Sequence, residues 1–115
     1  MSNQNLEDRL FEFAVRLIEF TKTLKDSAEH KIIKYQLIKS GTSSGANYEE
    51  SQGAISKPDF FNKVNISLKE MRESNYWLRI LNRIKDNEND ELEYLVKESE
   101  ELKKILGSIS SKNRK

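Results

Sequence analysis

Seven residues in the second half of the chain, Asn62, Asn65, Lys69, Arg72, Tyr76, Arg79 and Arg83, follow one another at steps of three and four. On a helix such steps fall on one face. Four cations around one tyrosine make a stripe that can neutralise phosphates and stack a base. Two other readings fit the same residues. The stripe can be a solvated face, or it can pair with acids on another subunit, since arginine is also enriched at interface centres. Asp90, Glu91, Glu93, Glu98, Glu100 and Glu101, near the C-terminus, would supply such a complement. By contrast, Arg9, Glu12, Arg16 and Glu19 alternate in sign and read as an ordinary salt-bridged surface.

Other chemistry is scarce. A di-iron bundle needs Glu-x-x-His on two helices, but the sole histidine, His30, follows Ser27 by three. His30 reads as an exposed first-turn residue, and no metal or cofactor is expected. With no cysteine and one histidine, activated nucleophiles have little to draw on. Glu70 and Glu73 lie three apart on one helical face and could do acid–base work. The alternative is structural: two core-facing carboxylates, with Trp77 on the same seam, that satisfy polar groups on a neighbouring helix. Ser44 and Asn47 are the natural partners, because a buried carboxylate needs such a partner. The residues therefore predict a protein that is not an enzyme.

The elements that position these residues follow from apolar spacing. Leu6, Leu10, Phe13, Leu17, Phe20 and Leu24 alternate steps of four and three, a helical seam over about 5–24. Asn5 is its N-cap, with Asp8 in the first turn; Asp26 with Glu29 opens the next helix. That second seam, Ile33, Leu37, Ser40, Ser44, Asn47, Ser51 and Ala54, runs without a slip through the stretch SGTSSGAN at 40–47. The unbroken register predicts one helix over 28–55 rather than a break at the glycines. Each interior glycine costs about 1 kcal/mol relative to alanine. Gly41 and Gly45, four apart on one face, are expected to offset that cost by letting a neighbouring helix or another subunit approach closely.

Ser56-Lys57-Pro58-Asp59 is a helix start, with a Ser cap, Pro in the first turn and an acid at the third position. The third helix, 58–84, carries one seam through Phe60, Val64, Ser67, Met71, Ser74, Leu78 and Leu81. A second runs through Ile66, Glu70, Glu73, Trp77, Ile80 and Ile84. Two adjacent seams mark the central helix. Asp90, with Glu93, is read as the cap of a fourth helix over 90–109, with a basic tail at 110–115. The prediction is all-α: an up-down-up-down antiparallel four-helix bundle forming a single domain over 1–115.

Composition bounds the partners. The 115 residues hold 20 Lys plus Arg against 19 Asp plus Glu, a net charge of +1. That near-neutrality gives no global attraction to nucleic acid or membrane, so such a partner would need a local patch. The absence of cysteine fits a reducing cytoplasm. The N-terminus lacks a basic stretch followed by an apolar run, so no signal peptide is expected. No stretch approaches 18 apolar residues, so no membrane contact is expected.

SGTSSGANYEES followed by PDFFNKVNISLKEMRESNYWLRIL resembles the 23S rRNA intervening-sequence proteins, also called the four-helix bundle protein family. The carriers are Ala46-Asn47 with Glu50, Asp59-Phe60, Leu68-Lys69-Glu70, Glu73-Ser74 and Trp77-Leu78. Met71-Arg72 stands where an Ala-Arg pair is more usual. The likeness covers the second and third helices; the first and fourth match in length and periodicity. It implies a four-helix bundle assembled as a homopentameric ring, bacterial origin and no enzymatic activity. Related accessory proteins of diversity-generating retroelements bind nucleic acid and a reverse transcriptase. The combined expectation is a self-assembling scaffold associated with RNA or DNA, contacting nucleic acid or partner through Lys69, Arg72, Tyr76, Arg79 and Arg83. The alternative is a purely protein–protein module whose basic stripe meets the acidic fourth helix of a neighbour.

Overall fold

The computed structural model describes residues 5–114. Residues 1–4 and Lys115 lie outside the described residues, and with them the last residue of the expected tail. Four helices follow one another: α1 (Leu6–Thr21), α2 (Ala28–Ser51), α3 (Lys57–Ile84) and α4 (Asp90–Ser111), with a 3₁₀ turn at Lys112–Arg114. Among the described residues there is no strand. The expected tail is thus helical at Ser110 and Ser111. α3, 28 residues and about 42 Å long, packs against both α2 and α4, while α1 closes the bundle from the other side.

Local chemistry sets the boundaries. Asn5 Oδ1 accepts from the Asp8 amide at 2.8 Å, and Ser56 Oγ accepts from the Asp59 amide at 3.1 Å. The other two caps sit one residue away from the sequence expectation. Ser27, not Asp26, caps α2 through the His30 amide, and Asn89, not Asp90, caps α4 through the Leu92 amide. In each case the cap stands three residues before the amide it satisfies. α1 and α2 also stop short of the expected 24 and 55. The amides of Thr23, Leu24, Gly53 and Ala54 bond three residues back, so each helix closes in a tightened turn. Leu24 still packs against the core from that turn.

The core is built by Leu10, Phe13, Leu17 and Phe20 of α1, Ile33 and Leu37 of α2, Met71, Leu78 and Leu81 of α3, and four leucines of α4. In α3, Phe61 is buried and Phe60 only half so, a one-position departure from the expected seam. The second α3 seam is a half-buried flank, with Ile84 exposed.

Past Leu37, α2 lines the interior with small residues. Ser40, Gly41, Ser44 and Ser51 are buried, and the helix runs unbroken through Gly41 and Gly45. The two residue types face different neighbours. Ser40 Oγ lies 2.7 Å from Ser74 Oγ of α3. Ser44 Oγ donates to the Ser67 carbonyl at 2.9 Å, and Ser67 Oγ donates back to the Ser44 carbonyl at 2.7 Å. Hydroxyls short enough to reach the opposite backbone require closely packed helices. The glycines face α1 instead. A Cβ on Gly41 would stand 2.1 Å from Leu17 Cδ2, and one on Gly45 would stand 3.4 Å from Leu10 Cβ. The close approach is therefore made within the chain, between α1 and α2.

Candidate nucleic-acid interface

Arginines on two helices meet opposite fates. On α1, Arg9 forms a two-pronged pair with Glu98 of α4, Nη2 to Oε1 at 2.8 Å and Nε to Oε2 at 3.1 Å, and reaches Glu101 at 3.3 Å. Arg16 grips Glu91 in the same way, at 2.7 and 3.0 Å, and its guanidinium lies 3.7 Å over the Tyr94 ring. These hydrogen-bonded carboxylates push both guanidinium pKa values up. Burial is the main reason the Tyr94 phenol is raised. The sign alternation on α1 thus serves an α1–α4 clamp more than a surface ladder within one helix; only Glu19 pairs locally, with Lys22. It also consumes much of the α4 acid that could complement the stripe: Glu91, Glu98 and Glu101 pair with α1, and Glu100 pairs with Lys103.

On α3, Lys63 pairs with Glu50 of α2 at 2.9 Å, but the stripe cations have no such partner. Lys69, Arg72, Tyr76, Arg79 and Arg83 are all exposed, as are Asn62 and Asn65. None of the four cations forms an ion pair among the described residues. From Lys69 to Arg83 the stripe runs about 21 Å along the helix. Arg79 is held from beneath. Its Nε donates to Asn75 Oδ1 at 2.9 Å, and Asn75 Nδ2 donates to Ser99 Oγ of α4 at 2.9 Å. Asn75 is 0% exposed, so this fully buried amide spends its oxygen on a surface arginine. The sequence reading passed over Asn75 because it follows Ser74 of the apolar seam directly. The available signal was its position four residues before Arg79 and four after Met71.

The structure separates the expected polar core. Glu70 and Glu73 are half-buried on the flank of α3 and do not meet Ser44 or Asn47. Glu73 Oε2 accepts from Trp77 Nε1 at 3.2 Å. Asn47 turns back to its own helix, donating to the Ser43 carbonyl at 2.9 Å. The antiparallel register, fixed by the 40/74 and 44/67 pairs, puts serine opposite serine and leaves the glutamates beside the contact. Every buried side-chain nitrogen or oxygen among the described residues has a partner, so no carboxylate is needed there.

Near the C-terminal end of α3, His30 is half-buried rather than exposed, with Nδ1 2.6 Å from Ser27 Oγ. Nearby, a hydrogen bond from Lys25 holds the Asp86 carboxyl below its ordinary pKa. No cluster of three His, Cys, Asp or Glu side chains suited to a metal occurs among the described residues. No helix described is long and apolar enough to cross a membrane. A second surface feature was missed. Phe11, Ala14, Val15 and Ile18 of α1 with Gly45 and Ala46 of α2 line an apolar groove, and Phe11 is 63% exposed. These residues lie off the core seam, which is the sign that could have flagged them.

The sequence model of the family described as 23S rRNA-intervening sequence protein matches residues 3–108. The chain belongs to that family. A crystal structure of a family relative supports the bundle: a protein of unknown function from the S23 ribosomal protein family of Bacteroides thetaiotaomicron VPI-5482 superposes with a TM-score of 0.82 at 39% identity, over 92% of this chain and 98% of that one. No curated protein matches the sequence. Membership in the intervening-sequence family and the four-helix fold thus agree with the resemblance carried by α2 and α3.

Proposed function

We propose that this intervening-sequence family protein is a non-catalytic cytoplasmic bundle that assembles with copies of itself and presents α3 to RNA or DNA. One observation carries the reading: the arginines of α1 are neutralised by α4, whereas Lys69, Arg72, Arg79 and Arg83 stand exposed without an ion-pair partner among the described residues. A net charge of +1 makes that local stripe, not the whole molecule, the source of attraction. The test is a titration of the protein with labelled structured RNA and duplex DNA at several salt concentrations. Binding that weakens steeply with salt supports the reading. No binding at low salt overturns it and leaves a protein–protein module, with a reverse transcriptase as one candidate class of partner.

Self-assembly is assigned to the α1–α2 groove. The family resemblance suggests a homopentameric ring, and a second copy of the chain is the proposed occupant. An exposed Phe11 beside Val15 is costly to leave in water. Phe11→Glu with Val15→Glu is expected to reduce the native mass to that of the 13.5 kDa monomer while leaving the helical circular dichroism intact. An unchanged assembly would move the interface elsewhere.

A further inference from the structure

The C-terminal half of the stripe is more than a row of charges. Tyr76, Arg79, Ile80, Asn82 and Arg83 line one shallow depression on α3. Tyr76 is 50% exposed, and its ring stands edge-on to Trp77 at 5.2 Å and 71°, which braces it and leaves ring surface open to solvent. The guanidinium carbon of Arg79 lies 5.8 Å from the Tyr76 ring centroid. Because Asn75 holds Nε, the two terminal nitrogens of Arg79 point away from the helix anchor with no partner among the described residues. Asn82 accepts from Lys85 Nζ through its side-chain oxygen at 2.9 Å, which leaves its amide N–H groups free to donate.

From this arrangement we infer that the depression binds one unpaired nucleotide, so that the protein prefers single-stranded nucleic acid to duplex. This rests on the reading of the α3 stripe as a nucleic-acid surface. Tyr76 stacks the base, and a ring can do so only with a base that has left its duplex neighbours. Asn82 donates to the base edge. Arg79 and Arg83, about 6 Å apart along the helix, take the flanking phosphates. Arg79 arrives with its fork already oriented, so little side-chain freedom is lost on binding. Asn75 acts through Arg79 and is a positioning residue.

The experiment uses an eight-nucleotide oligothymidylate, a strand of the same length made wholly of abasic nucleotides, and a blunt duplex. The abasic strand keeps the phosphates and removes the bases. Oligothymidylate should bind roughly tenfold to a hundredfold more tightly than the abasic strand. Tyr76→Ala should erase that difference and Tyr76→Phe should keep it; both changes are at an exposed position and spare the fold. Arg79→Lys, which keeps the charge but loses the fork, should weaken oligothymidylate binding with little change in salt slope. Equal affinity for the two single strands, or a Tyr76→Ala variant that still discriminates, overturns the nucleotide site while the stripe stands. Failure of all three nucleic acids to bind overturns both, and points to an acidic protein surface as the partner.

Discussion

Gly41→Leu is expected to lower the melting temperature by about 12 °C. The reason is distance. Even a Cβ at position 41 would sit 2.1 Å from Leu17 Cδ2, and Leu17 is fully buried against neighbours that are themselves buried. Overpacking of this kind costs about 1–3 kcal/mol, at times more. A leucine also brings a better helix former, worth about 1 kcal/mol, so the clash must exceed that gain. The rest of the leucine follows that Cβ, which puts the clash beyond the usual range, at about 4 kcal/mol. Less the gain, a net loss of about 3 kcal/mol remains, which converts at about 4 °C per kcal/mol for a chain of this size. The other glycines are the controls. Gly45→Ala brings a Cβ to ordinary contact with Leu10, and Gly107→Ala meets nothing within 4 Å; both should hold or raise the melting temperature, the latter by about 4 °C. Because Gly41 faces α1 of its own chain, the loss should not depend on protein concentration. A Gly41→Leu variant as stable as its parent would show that α1 and α2 can separate there at no cost.

The same stretch shows how far the sequence could be read. The four-three seam passing through Ser40, Ser44 and Ser51 was enough to place a helix across two glycines, since a loop has no reason to keep helical register. Which neighbour each small residue touches was not legible. Ser44 and Gly45 are adjacent in sequence, yet one bonds α3 and the other faces α1, and only the crossing of three helices decides that. The glutamates illustrate the converse. Glu70 and Glu73 share a seam with Ile66 and Trp77, but a side chain on the flank of a buried arc can turn its carboxylate outward, so periodicity could not tell flank from core. Glu73 reaches Trp77 on its own helix. For the candidate site, spacing alone collected Lys69, Arg72, Tyr76, Arg79 and Arg83 on one exposed face. The support beneath it, Asn75 bound to Ser99 across 24 residues, is a contact between helices and left no periodic trace. The fates of the arginines were hidden for the same reason: nothing in the spacing of Arg9 and Arg16 distinguishes them from Arg72 and Arg79 until α4 is laid beside α1.

Arg79→Glu with Arg83→Glu is expected to remove most of the nucleic-acid affinity, and the salt dependence says why. If all four stripe cations meet phosphates of a single strand, log K falls against log salt with a slope of about −2.8, or about 50-fold between 50 and 200 mM. Reversing two of them leaves at most two contacts. The slope then flattens to about −1.4 or less, and the same change of salt costs about sevenfold. Two new negative charges on the face add repulsion, so affinity at low salt drops further than loss of two contacts alone requires. Both side chains are exposed and the fold should survive, but giving up the Arg79 hydrogen bond leaves the buried Asn75 Oδ1 without its partner and should cost about 1–3 kcal/mol of stability. That bond can be controlled separately: Arg83→Glu alone leaves it in place and should flatten the slope by about half as much. A matched pair of reversals at Arg9 and Arg16 is the contrasting case. Those guanidiniums are engaged by Glu98 and Glu91, so their loss should lower stability and leave the salt slope of any surviving folded protein unchanged. If instead the α1 reversals flatten the slope and the α3 reversals do not, the nucleic acid lies on the other side of the bundle and the α3 stripe is a solvated surface.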